Sequence, residues 1–105
     1  MSINSRTDSK TEKLETIVSS YTYEQQREIF IEECAEAIQA VQKVKRAAEV
    51  SAERYTKATD ELVSEIADVL IMAQQMRLYL GSEKVDTAIN YKLDRQIGRI
   101  RRANL

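Results

Sequence analysis

The sequence predicts an all-α, four-helix-bundle-like fold whose core is completed by oligomerisation. Three observations predict it. The chain has no proline and only two glycines, Gly81 and Gly98, so few residues force a helix to break. Apolar residues recur at steps of three and four over long stretches, which is the spacing of a helix face. β-Branched residues are scattered rather than alternating, which leaves no strand pattern. At 105 residues the chain makes one domain, with residues 1–8 polar and expected to fray.

The first helix is expected from about Ser9 to Ser19, with Leu14, Ile17 and Val18 on one face. Residues 19–22 read as a break. Thr22 and Gln25 have capping-box spacing, which opens a long second helix running to about Ala48. Its stripe is Phe30, Cys34, Ala37, Val41, Val44 and Ala48. Residues 49–58 read as a loop or an exposed helical continuation. Thr59 or Asp60 then caps a third helix with the stripe Leu62, Ile66, Val69, Leu70, Ala73 and Leu80. Gly81 stops it, because glycine tolerates a positive φ. Ser82 is the expected cap of a fourth helix bearing Val85, Ala88, Ile89, Leu93, Ile97 and Ile100.

The second helix also carries Ile29, Ile31, Ile38 and Ala40 away from its stripe. A helix apolar over more than half its circumference needs partners on several sides. A domain this small buries a modest core by itself. A homodimer or homotetramer is therefore expected.

Composition narrows the function. Net charge is −1, with 16 basic and 17 acidic residues, so there is no global basic field for nucleic acid. The basic run Lys92, Arg95, Arg99, Arg101 and Arg102 is the local exception. The single cysteine, Cys34, cannot form an internal disulfide. Nothing reads as a signal peptide or a membrane span, so a cytoplasmic location is expected. Histidine is absent, which removes a His-based triad, imidazole zinc sites and the Glu-x-x-His motif of di-iron bundles. Any bound metal must accept oxygen ligands, as Mg²⁺ and Mn²⁺ do.

Two acidic motifs then stand out: Glu32-Glu33-x-x-Glu36 on the second helix and Glu65-x-x-Asp68 on the third. At 100° per residue from Phe30, Glu33 falls at about −60° and Glu36 at about −120°. Measured from Ile66, Glu65 falls at about −100° and Asp68 at about −160°. Both pairs lie on the same rotational side of their stripes. In an antiparallel hairpin they therefore meet on one side. Carboxylates so gathered repel one another, and a divalent cation offsets the repulsion. A solvated acidic face is the competing reading of either pair alone.

Glu32-Glu33-Cys34-Ala35-Glu36, followed by Glu65-Ile66-Ala67-Asp68-Val69-Leu70, resembles the EExxE…ExxD signature of the MazG-like nucleotide pyrophosphohydrolases. The similarity includes Gln39-Ala40 and Lys43 after the first motif, and Lys92 and Arg95 on the last helix. It covers most of residues 22–99. The resemblance implies the all-α NTP pyrophosphatase fold. It implies Mg²⁺-dependent hydrolysis of nucleoside triphosphates to the monophosphate and pyrophosphate, in the service of dNTP-pool housecleaning. By the same resemblance Glu33, Glu36, Glu65 and Asp68 are the principal metal ligands. Glu32 would hold a second ion or position the attacking water. Lys92, Arg95 and, more weakly, Lys43 are candidate phosphate contacts. Met72 is placed either against the base or in the core, the core being preferred. Phe30, Tyr21 and Tyr23 are the rings available for stacking. The alternative is a non-catalytic helical oligomeric interaction protein. A nucleic-acid binder using the C-terminal basic run ranks last.

Overall fold

The computed structural model describes residues 9–104, and the expected fraying of residues 1–8 lies outside them. Four helices follow in order: α1 Lys10–Ser20, α2 Tyr23–Ala47, α3 Ala52–Leu80 and α4 Ser82–Ala103. The described residues contain no strand. None of the helices is long and apolar enough to cross a membrane.

Local chemistry sets the helix starts. The Thr22 hydroxyl accepts from the Gln25 amide at 3.2 Å, and the Gln25 side chain accepts from the Thr22 amide at 2.9 Å. This is the capping box expected from their spacing. Ser9 and Glu12 form a second such box at the start of α1. The third helix begins earlier than expected. Its cap is Ser51, whose hydroxyl accepts from the Arg54 amide at 3.1 Å, rather than Thr59 or Asp60. Residues 52–58 are a full helical extension of α3, and only a short turn, residues 48–51, joins it to α2. Of the two readings of residues 49–58, the helical continuation therefore holds from residue 52; the apolar stripe thins out there, so the pattern alone does not choose between them. Gly81 ends α3 at φ +112°, as its position suggested. It also serves as the cap of α4, with no side-chain hydrogen bond, so Ser82 is the first helical residue rather than the cap.

The short turn makes α2 and α3 an antiparallel hairpin. Small side chains, Ala37 and Ala47 on α2 and Ala58 on α3, are buried along it, which lets two backbones approach closely. Lys43 on α2 and Glu61 on α3 form an ion pair at 2.7 Å across the exposed edge. The opposite end is closed by Tyr79. Its hydroxyl donates to the Tyr21 carbonyl at 2.8 Å and lies 3.2 Å from that of Val18. Its ring packs edge-on against Tyr23 at 5.7 Å. One side chain of α3 thus holds the α1–α2 corner. Arg77 grips Asp86 through two hydrogen bonds of 2.6 and 2.7 Å and fixes the departure of α4.

The covered stripes overlap those expected, keeping Phe30, Cys34, Ala37 and Val44 on α2 and Leu62, Val69 and Ala73 on α3, but are turned toward the acids. On α2 the covered line runs through Gln26, Phe30, Glu33, Ala37, Ala40, Val44 and Ala47, while Val41 and Ala48 are exposed. On α3 the buried residues are Ala58, Met72, Gln75 and Met76, while Ile66, Leu70 and Leu80 are exposed. Apolar residues spread around much of each helix, so periodicity could not say which side the neighbour covers. Contacts within the chain cover the side that carries the acids. The radius of gyration is 17.9 Å, against about 13 Å for a compact chain of this length. Among the described residues no large side chain is fully buried.

Candidate metal centre

Rotation of the stripes moves the acids inward. Glu33 occupies the α2–α3 seam between Phe30 and Ala37, and Glu65 occupies it between Leu62 and Met72. Both are half-buried. Glu36, one turn beyond Glu33, stands at the exposed edge. One carboxylate oxygen from each of Glu33, Glu36 and Glu65 lies within 4.8 Å of the others. The antiparallel hairpin therefore brings together two members of the first motif and one of the second.

These groups are electrostatically strained. Burial first, then the charges of Glu36, Asp68, Glu65 and Glu32, raise the Glu33 carboxyl above its ordinary value. Burial, the charges of Glu36 and Asp68, and a hydrogen bond with Glu36 do the same to Glu65. Charge repulsion and lost hydration act together here, and both disfavour the ionised form. Oε2 of Glu33 and Oε2 of Glu65 are buried without a hydrogen-bond partner. A carboxylate oxygen in that position requires a proton or a cation.

A divalent cation fits the residues present. The donor set is all carboxylate oxygen, which suits Mg²⁺ or Mn²⁺. Opposite ligands of Mg²⁺ lie about 4 Å apart, so side-chain rotation alone would close the observed spacing. Two oxygens already lack any other partner.

The remaining candidates are placed differently. Asp68 is exposed and sits close enough to act on both Glu33 and Glu65, but it is outside the group of three. Glu32 is exposed, and its charge is the smallest of the influences on Glu33. Lys43 is engaged by Glu61, whose carboxyl it holds below the usual value through a hydrogen bond and its charge. Lys92 and Arg95 lie exposed on α4, with the Arg95 guanidinium 5.9 Å from the Tyr91 ring centre. Among the described residues no ion pair ties either to the carboxylates. Met72 is buried in the seam, with its sulfur 3.5 Å from the Gln75 amide nitrogen. Cys34 is half-buried and free. Of the three rings, Tyr23 is committed to Tyr79, Phe30 is half-buried and Tyr21 is exposed.

Sequence reasoning missed Glu61, the partner that occupies Lys43. Its signal was its position four residues before Glu65, one turn away on the same face.

In comparisons with known proteins, no family model, curated protein or solved structure matches this chain.

Proposed function

We propose that this chain is a Mg²⁺-dependent nucleoside triphosphate pyrophosphohydrolase, releasing pyrophosphate and the nucleoside monophosphate. The observation that carries the reading is the convergence of Glu33, Glu36 and Glu65, with two buried carboxylate oxygens left unpartnered. The resemblance of the EExxE…ExxD motifs supports the choice of reaction.

In this reading Glu33, Glu36 and Glu65 hold the ion, and Asp68 completes its surroundings from the next turn of α3. A bound Mg²⁺ or Mn²⁺ would neutralise phosphate charge and lower the pKa of a coordinated water. Two helices set the backbone positions of the carboxylates, so little beyond side-chain rotation is needed to gather them on an ion. Exposed Glu32 is free to orient a water from the solvent side. Lys92 and Arg95 contact substrate phosphate, Arg through its fork and Lys as a point charge. Half-buried Cys34 plays no covalent part. The substrate places the enzyme in the cytoplasm, and clearing unwanted deoxynucleotides is the role that fits.

The working unit in this reading is a homodimer or homotetramer. Ile31, Ile38, Val63 and Leu70 are each more than half exposed. A chain that leaves such residues uncovered is stabilised by burying them against another copy. The same exposed residues favour the second reading, a non-catalytic helical interaction protein.

The deciding experiment is a panel of canonical and modified NTPs with Mg²⁺ or Mn²⁺, read by pyrophosphate release. Release from at least one supports the proposal; none from any of them rejects it. A thermal shift on adding metal separates the readings further, because only a ligand of the native state stabilises it.

A further inference from the structure

About two helical turns from the carboxylates, toward the hairpin tip, residues of α2, α3 and the turn between them line a cavity of about 480 Å³. Its floor is made by Ala47 and Ala58, both buried. Short side chains on facing helices leave the space open. Its walls include four cationic side chains, Lys43 and Arg46 from α2 and Arg54 and Lys57 from α3. Among the described residues no acidic side chain lines it. Lys43 is paired with Glu61, but Arg46, Arg54 and Lys57 make no ion pair among the described residues.

Helix electrostatics account for only part of this cluster. Arg46 lies in the last turn of α2, where a cation is favoured by the macrodipole. Arg54 lies in the first turn of α3, where a cation is disfavoured, and Lys57 one turn further on. The chain carries nearly equal numbers of acids and bases, so like charge around one hollow is local segregation rather than excess. Lys43 is answered by Glu61, whose charge also reaches Lys57; Arg46, Arg54 and Lys57, without an ion pair, still place like charge around one hollow, which an anion would offset.

We propose that this cavity is an anion site that takes an oligophosphate: free pyrophosphate, or the phosphate chain of a nucleotide, held by side chains without metal. A chain of two or three phosphates matches the three unpaired cations, Arg46, Arg54 and Lys57, better than a single phosphate. The guanidinium forks of Arg46 and Arg54 can each grip two oxygens, with the lysines as point charges. The cavity is within the size range of small-molecule sites. The inference does not depend on the carboxylate centre or on turnover.

Calorimetric titration in the presence of a chelator tests it, with pyrophosphate, ATP and orthophosphate as probes. Expected are binding of pyrophosphate without metal, weaker binding of orthophosphate, and loss of affinity as salt rises. Equal affinity for pyrophosphate and ATP assigns recognition to the phosphate chain; tighter ATP binding assigns the site to nucleotides, and either outcome supports the proposal. The exposed double variant Arg54→Gln/Lys57→Gln should weaken pyrophosphate binding at least about tenfold, with unchanged helicity. Glu36→Gln, which alters only the carboxylate centre, should bind as the parent does. The proposal is overturned if neither pyrophosphate nor ATP binds without metal. It is equally overturned if the double variant binds normally, or if a single-stranded oligonucleotide binds more tightly than ATP through the same two residues. Because no metal is present, failure here and failure of the hydrolysis assay are separate results.

Discussion

Glu33 and Glu65, from antiparallel helices, each turn one carboxylate oxygen into the α2–α3 seam where no donor reaches it. The seam is therefore built with a defect that a cation would repair. Removing one of the charges should help the metal-free protein and harm the metal-bound one. Glu33→Gln is expected to raise Tm in chelator and to diminish the Tm increase that Mg²⁺ or Mn²⁺ gives the parent. Thermal denaturation with and without metal checks both signs. A variant that melts lower in chelator would contradict the unpartnered oxygen, and one with an undiminished metal shift would remove Glu33 from the ligand set.

Glu36 and Asp68 test the same centre from its exposed edge. Neither is needed to fill the seam, so Glu36→Gln and Asp68→Asn should leave far-UV circular dichroism unchanged. Each is expected to lower kcat for pyrophosphate release by about a hundredfold or more, the scale for loss of a preorganised electrostatic group. If Asp68→Asn remains fully active while Glu36→Gln does not, the centre consists of the three converging glutamates alone.

That Glu33 and Glu36 meet Glu65 follows from helical angles, because rotational sense survives when one helix reverses direction, but Asp68, expected with them, stays outside the group. The depth of the acids does not follow from the angles. Ile66 and Val41 look like core positions by periodicity, yet they are exposed, while polar Gln26, Gln75, Glu33 and Glu65 lie in or beside the seam. The pattern records that a helix is apolar on several sides, but not which side its own chain covers. The Thr22–Gln25 box and the Gly81 stop were legible because each depends on local backbone chemistry. The start of α3 was lost where Ser51 caps a stretch with few apolar residues. Lys92 and Arg95 could not be positioned from sequence because the direction of α4 depends on the Gly81 junction and on the Arg77–Asp86 pair that spans it, neither of which periodicity reports.

That pair carries a pH dependence. Asp86 is held below its ordinary carboxyl value, chiefly by the hydrogen bonds from Arg77. A group whose folded-state pKa is lowered adds stability above its unfolded pKa and loses it as pH falls through the folded one. The ordinary value for an aspartate is 3.8, so the contribution is intact near neutrality and is lost in acid below that point. Amide hydrogen exchange should show the first turns of α4 losing protection there more steeply in the parent than in Asp86→Asn. Identical acid profiles for the two proteins would show that Asp86 does not anchor α4.

The two glycines should respond to alanine with opposite signs. Gly81 adopts φ +112° at the α3–α4 junction, a conformation that L side chains rarely hold. A Cβ there would meet only the Lys84 side chain, at 3.7 Å or more, so the penalty comes from the backbone rather than a clash. Gly81→Ala is expected to destabilise by about 1 kcal/mol or more. Gly98 lies within α4 at an ordinary helical position, and a Cβ there meets only the flexible end of Arg102, at 3.4 Å. Gly98→Ala should stabilise by about 0.5–1 kcal/mol through restriction of the unfolded chain and better helix propensity. Denaturant midpoints of the two variants provide the measurement. Destabilisation by Gly98→Ala would mean that α4 is packed closely against another surface at that point, as a second copy of the chain would pack it. Titrating protein concentration across the same unfolding transition then separates the cases, since only an intermolecular contact makes the midpoint depend on concentration.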